Sequence, residues 1–234
     1  MKRTHAKRFG RGLSLIEMMI ALTISVTLMT ATLAALDSMF KGYQQTTESA
    51  STNIIARIVM ARLTGMIRTG SGFGPVPESV LDAGENPIGA DYFEFVTARD
   101  EKREPTEMVR VEYRVPAALA AAGGAWATNP PLRTWAVADG PPANLWPAVA
   151  GELWFVRLDV TEDPPVVLQE NPLLSGVRSA VFTMRYDVGP ALMRATIDMT
   201  IEPDDSADLT VHSNLGSAQT FRLVASAAPR GDAR

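Results

Sequence analysis

The sequence predicts an α+β fold in which one long N-terminal helix lies on an antiparallel β-sheet. Three observations carry that prediction. No proline occurs before Pro75, apolar residues recur at three- and four-residue spacing as far as Ile67, and beyond Gly74 the apolar period falls to two. The first two allow a single unbroken helix, and the third calls for half-buried strands.

Residues 1–12 carry Lys2, Arg3, Lys7, Arg8 and Arg11 with no acid and no apolar stretch. Such a basic flank stays on the cytoplasmic side of a membrane, which puts the rest of the chain on the far side. From Leu13 to Leu36 run 24 residues in which Glu17 is the only charge. That is long enough to cross a hydrocarbon layer of ~30 Å at ~1.5 Å per residue. A carboxylate in such a helix costs up to roughly 3 kcal/mol at the bilayer centre and less near the interface, and intramembrane ionisable groups are usually paired and functional. Glu17 lies about one turn into the run, so a partner for it stands against simple snorkelling to the headgroups.

Residues 37–72 continue the helix. A polar stretch, Gln44 to Asn53, leads into Ile54, Ile55, Ile58, Val59, Leu63, Met66 and Ile67, with Arg57, Arg62 and Arg68 among them. This reads as an amphipathic helix whose apolar stripe packs on its own domain. Unbroken from Leu13 to about Thr69, it would measure roughly 85 Å. Gly70-Ser71-Gly72, with Pro75 and Pro77 beyond, ends it.

Residues 73–226 are expected to form the β-rich globular domain. Met108 to Val115 and Met193 to Ile201 alternate apolar and polar residues, and Tyr92–Thr97, Glu152–Val160, Val166–Gln169, Val177–Tyr186 and Thr220–Ala225 are further strand candidates, separated by Pro and Gly clusters. An Ala-, Gly- and Pro-rich insertion at 116–147 holds Trp126, Trp135 and Trp146. Such tryptophans either anchor a long loop to its own domain, the commoner use, or form a binding surface. Residues 227–234 read as a disordered tail, and the Arg230-Gly231-Asp232 tripeptide in it is short enough to arise by chance.

The N-terminal residues resemble a known family. The stretch Gly12-Leu13-Ser14-Leu15-Ile16-Glu17, with the apolar run to Leu36 behind it, is similar to the N-terminus of type IV prepilins and type II secretion pseudopilins. The resemblance implies that a prepilin peptidase cuts between Gly12 and Leu13 and that Leu13 becomes N-methylated. It also implies that Glu17, fifth in the mature chain, pairs with the N-terminal amine of a neighbouring subunit. Two groups that are costly alone in lipid would then neutralise each other. Leu13 replaces the more usual phenylalanine, and Ser14 stands where threonine is common. A looser resemblance, over Tyr92–Ala98, Val109–Val115, Leu173–Phe182 and Ala195–Glu202, is to J-type minor pseudopilins and W-type minor pilins. The absence of proline at Ala34 tilts the same way. The two resemblances together imply a non-enzymatic minor subunit that helps start or cap a filament, with the prepilin peptidase and other pilins or pseudopilins as partners. It would sit in the bacterial inner membrane with a periplasmic domain. The competing readings are an ordinary signal peptide ending near Ala35, or a plain anchor tethering a binding module or hydrolase.

Composition narrows the chemistry. With no cysteine, disulfides, thiolate metal sites and thiol nucleophiles are excluded. The net charge is −4, and loss of the five basic leader residues leaves 17 basic against 26 acidic, or −9. That balance argues against phosphate-backbone binding. His5 and His212 are the only histidines, too few for a His-based metal site or triad. Asp204, Asp205 and Asp208 form an acidic loop that could hold Ca²⁺, although solvated acids in a turn are commoner. A Gly-Lys-Ser/Thr phosphate loop is absent, and no carboxylate spacing singles out a hydrolytic pair.

Overall fold

The computed structural model describes residues 14–115, 132–142, 145–147, 149–202 and 220–230. The chain divides into two compact units, Met1–Glu48 and Ser49–Arg234. A helix, α1, runs Leu15–Thr69 through both.

In the first unit every large apolar side chain from Leu15 to Leu36 is exposed. The hydroxyls among them are all satisfied within the helix: Thr23, Ser25, Thr27, Thr30 and Thr32 donate to carbonyls three or four residues back at 2.7–2.9 Å. A helix that meets its own polar needs and bares its apolar ones is suited to lipid or to other helices. The first opposite charges beyond the run, Asp37 and Lys41, pair at 2.8 Å.

Among its described residues the second unit has nine strands: β1 (Ser71–Gly74), β2 (Ile88–Ala90), β3 (Tyr92–Arg99), β4 (Pro105–Arg114), β5 (Thr134–Ala136), β6 (Gly151–Asp159), β7 (Val166–Asp187), β8 (Ala191–Ile201) and β9 (Phe221–Ala227). All pairings among these described strands are antiparallel. The α+β architecture expected from the sequence, a long helix with an antiparallel sheet, is therefore present.

Two segments read as separate strands, 166–169 and 177–186, are one strand. Pro172 and Gly176 bend β7 instead of breaking it. Gly176 has φ +73°, and the register slips beside it, between Gly151 and Leu153 on β6 and between Val177 and Ser179 towards β8. This is a bulge at a position that favours glycine. At the bend Val177 pairs with Gly151 on one side and Ile201 on the other, and further on Met184 pairs with both Ile88 and Ala195. The sheet thus has two leaves, β1-β3-β4-β6-β7 and β5-β2-β7-β8-β9, sharing β7.

The core lies between the leaves and under the helix. Phe93 of β3 meets Phe182 of β7 with ring centroids 5.1 Å apart, and Phe95 bridges to Phe93 and Phe73 at 6.1 Å each. From α1 the buried stripe is Ala56, Val59, Met60, Leu63 and Ile67. This corrects the stripe expected from the sequence: Ile54, Ile55 and Ile58 are exposed, and Ala56 and Met60 take their place against the sheet. Leu63 and Ile67 are fully buried, each contributing roughly 1.5–3 kcal/mol by burial. The helix ends where the Gly70 N–H donates to the Met66 carbonyl at 2.8 Å. Of residues 227–234, Ala227 is a buried strand residue and the Arg230 N–H donates to the Arg68 carbonyl at 3.0 Å, while 231–234 lie outside the described residues.

Candidate functional site

Glu17 is the one predicted assembly residue within the described chain, and it is built into the start of α1. Ser14 precedes the first helical residue, and its carbonyl accepts from the Met18 N–H at 3.1 Å. Glu17 then falls at the third helical position, and its Oε2 accepts from the Ser14 N–H at 2.9 Å. This is the Glu half of a capping box, carried by a Ser-x-x-Glu signal at Ser14–Glu17 that the spacing of charges and apolar residues alone does not bring out. The position also suits the positive end of the helix dipole. One carboxylate oxygen carries this bond, the side chain is exposed, and no ion pair to it is present among the described residues. Gly12 and Leu13, the predicted cleavage pair, lie outside the described residues.

The remaining candidates are less concentrated. Asp204, Asp205 and Asp208 lie outside the described residues, as does Trp126. Among the described residues no group of three or more metal-ligating side chains comes together. Trp146 stands edge-on to Tyr113 with centroids 4.9 Å apart, and Trp135 pairs through β5 with Gly89 of β2. Both are partly buried against their own domain, as the anchoring reading expects.

Two buried acids were not anticipated from the sequence. Asp91, just before β3, is 3% exposed and accepts from the Arg133 N–H at 2.9 Å, fastening the far end of the insertion to the sheet. Burial raises its carboxyl pKa to about 6, with Arg133 pulling down and Glu112 pushing up. Glu112 on β4 is held by Arg114 at 2.7 Å, and Arg114 in turn reaches Glu170 at 2.9 Å and stacks 4.7 Å over the Trp154 ring. Each of these carboxylates is engaged by its own chain.

An exposed apolar helix of membrane length, with an acid at its third position and a hydroxyl residue at its cap, is consistent with a membrane anchor. Residues 7–33 match the model of the prokaryotic N-terminal methylation motif, which supports a type IV prepilin-like precursor and, in general terms, processing by a prepilin peptidase and pilin-type assembly. No curated protein and no solved structure matches the chain.

Proposed function

We propose that this chain is a minor subunit of a type IV filament machine, a J-type pseudopilin of type II secretion or the similar W-type minor pilin, which helps start or cap the filament. Cleavage falls between Gly12 and Leu13, Leu13 is N-methylated, and Glu17 pairs with the amine of a neighbouring subunit in the inner membrane. The β-rich domain lies in the periplasm. The observation that carries this reading is Glu17 itself: an exposed carboxylate at the head of a bare apolar helix, within a methylation motif, with a second oxygen available to meet a cation. The role in this reading is structural and non-enzymatic.

The test is the intact mass and N-terminal residue of the protein from membranes of cells with and without a prepilin peptidase. Peptidase-dependent N-methyl-Leu13 is the expected result. A peptidase-independent start near Ala35, or an intact Met1 in both, would overturn it in favour of a secreted domain or a plain anchor.

A further inference from the structure

At the β2–β5 edge of the sheet a cleft of about 300 Å³ lies beside the loop between β1 and β2, lined by Glu78, Glu85, Trp135, Ile88, Pro77 and Ala136 among others. The loop is held rigidly. Asn86 Nδ2 donates to the Val80 and Tyr186 carbonyls at 2.8 and 2.9 Å, and its Oδ1 accepts from the Tyr186 N–H at 3.0 Å. Residues 75–88 include Glu78, Asp82 and Glu85 with no lysine or arginine. Glu85 gives one oxygen to the Ser79 N–H at 2.7 Å, and neither Glu78 nor Glu85 has an ion-pair partner among the described residues. Trp135, which also lines the cleft, packs against Gly89, where an added Cβ would clash with the indole nitrogen.

These walls ask for one kind of occupant. Two carboxylates lining one cleft give it a negative potential that favours a cation. The Trp135 indole beside them also favours a cation, and Pro77, Ile88 and Ala136 offer apolar surface to an alkyl stem. A cleft at the small end of the ligand-pocket range holds one long side chain. We propose that it takes the side chain of a lysine or arginine presented by a partner protein. The Trp-bearing insertion then contributes through Trp135 one wall of a recognition site. The proposal does not depend on where the mature chain begins.

The experiment uses the full chain in detergent with ¹⁵N-labelled tryptophan indoles, the Trp135 signal being assigned by Trp135→Phe. The probes are Nα-acetyl-arginine amide, Nα-acetyl-lysine amide and the neutral, near-isosteric Nα-acetyl-citrulline amide. A saturable shift of Trp135 with arginine or lysine, at least about tenfold weaker with citrulline, is expected, and the stronger probe identifies the side chain. Glu78→Gln and Glu85→Gln should each weaken binding about fivefold, with the Trp146 and Trp154 signals unmoved as the check on folding. Equal binding of citrulline, the absence of a saturable shift with both cations, or undiminished binding in both variants would overturn the proposal.

Discussion

The Ser14 N–H donates to Glu17 Oε2 at 2.9 Å, so the carboxylate proposed to reach a neighbouring subunit already closes the first turn of its own helix. The two uses are compatible, because a carboxylate has two oxygens and about four acceptor positions. They differ in what they demand of the side chain. Capping needs an acceptor, whereas neutralising an amine in a water-poor setting needs a charge.

Glu17→Gln keeps an acceptor for Ser14 and removes the charge. It should insert and be processed as the parent is, yet co-purify with partner subunits at least about tenfold less, the equivalent of about 1.4 kcal/mol. Glu17→Ala should add some fraying of the first turn, about 0.5–2 kcal/mol on the scale of lost caps. Recovery of Glu17→Gln at parental levels in isolated filaments or tip complexes would leave Glu17 with a capping role alone.

The corrected helix stripe separates two residues of similar chemistry. Leu63 is fully buried and Ile58 is 63% exposed. Leu63→Ala should lower domain stability by about 2–5 kcal/mol, and Ile58→Ala by no more than about 0.5 kcal/mol. Denaturant titrations followed by tryptophan fluorescence would show both. If Ile58→Ala proved as costly as Leu63→Ala, the stripe would have been placed on the wrong side of the helix.

Asp91 sets a pH dependence of definite sign. Its folded carboxyl titrates at about 6, above its ordinary value of 3.8, so the native state holds a proton that the unfolded chain releases. The contribution is fully present below about pH 4 and is lost as pH rises through 6, an effect of up to about 3 kcal/mol. Asp91→Asn preserves an acceptor for the Arg133 N–H and has no such titration. Melting temperatures between pH 4 and pH 7.5 should converge at the acid end and favour the variant at the neutral end. Parallel profiles would exclude Asp91 as the source.

The Tyr113 hydroxyl is buried without a hydrogen-bond partner among the described residues. Removing it takes away a desolvated polar group and no bond, so Tyr113→Phe should be neutral or stabilising by about 1 kcal/mol. A clear loss of stability by thermal denaturation would mean that the hydroxyl is satisfied in solution.

Much of this architecture was legible from residue order, and the exceptions have physical causes. Alternation at Met108–Val115 and Met193–Ile201 located β4 and β8 because a solvated outer face and a packed inner face impose period two over many residues. The short strands β1, β2 and β5 have only three or four residues each, too few to display a period. The bend at Gly176 looked like an ending because glycine and proline mark both turns and bulges. On α1, apolar residues at 54, 55, 58, 59, 63, 66 and 67 spread over a wide arc, and only the sheet decides which edge of it is covered. The N-terminal methylation motif was readable because it is local: leader, glycine, glutamate and apolar run lie next to one another in the chain. Asp91 and the Glu78–Trp135 cleft were not, because each joins residues about 40 or more positions apart through strand pairing.

The sharing of β7 has a mechanical meaning. Its first half is the outer strand of one leaf and its second half the middle strand of the other, with Gly176 the joint between them. Loss of β7 from its place would therefore strip an outer strand from one leaf and the central strand from the other, so the packing of the two leaves is coupled through a single element.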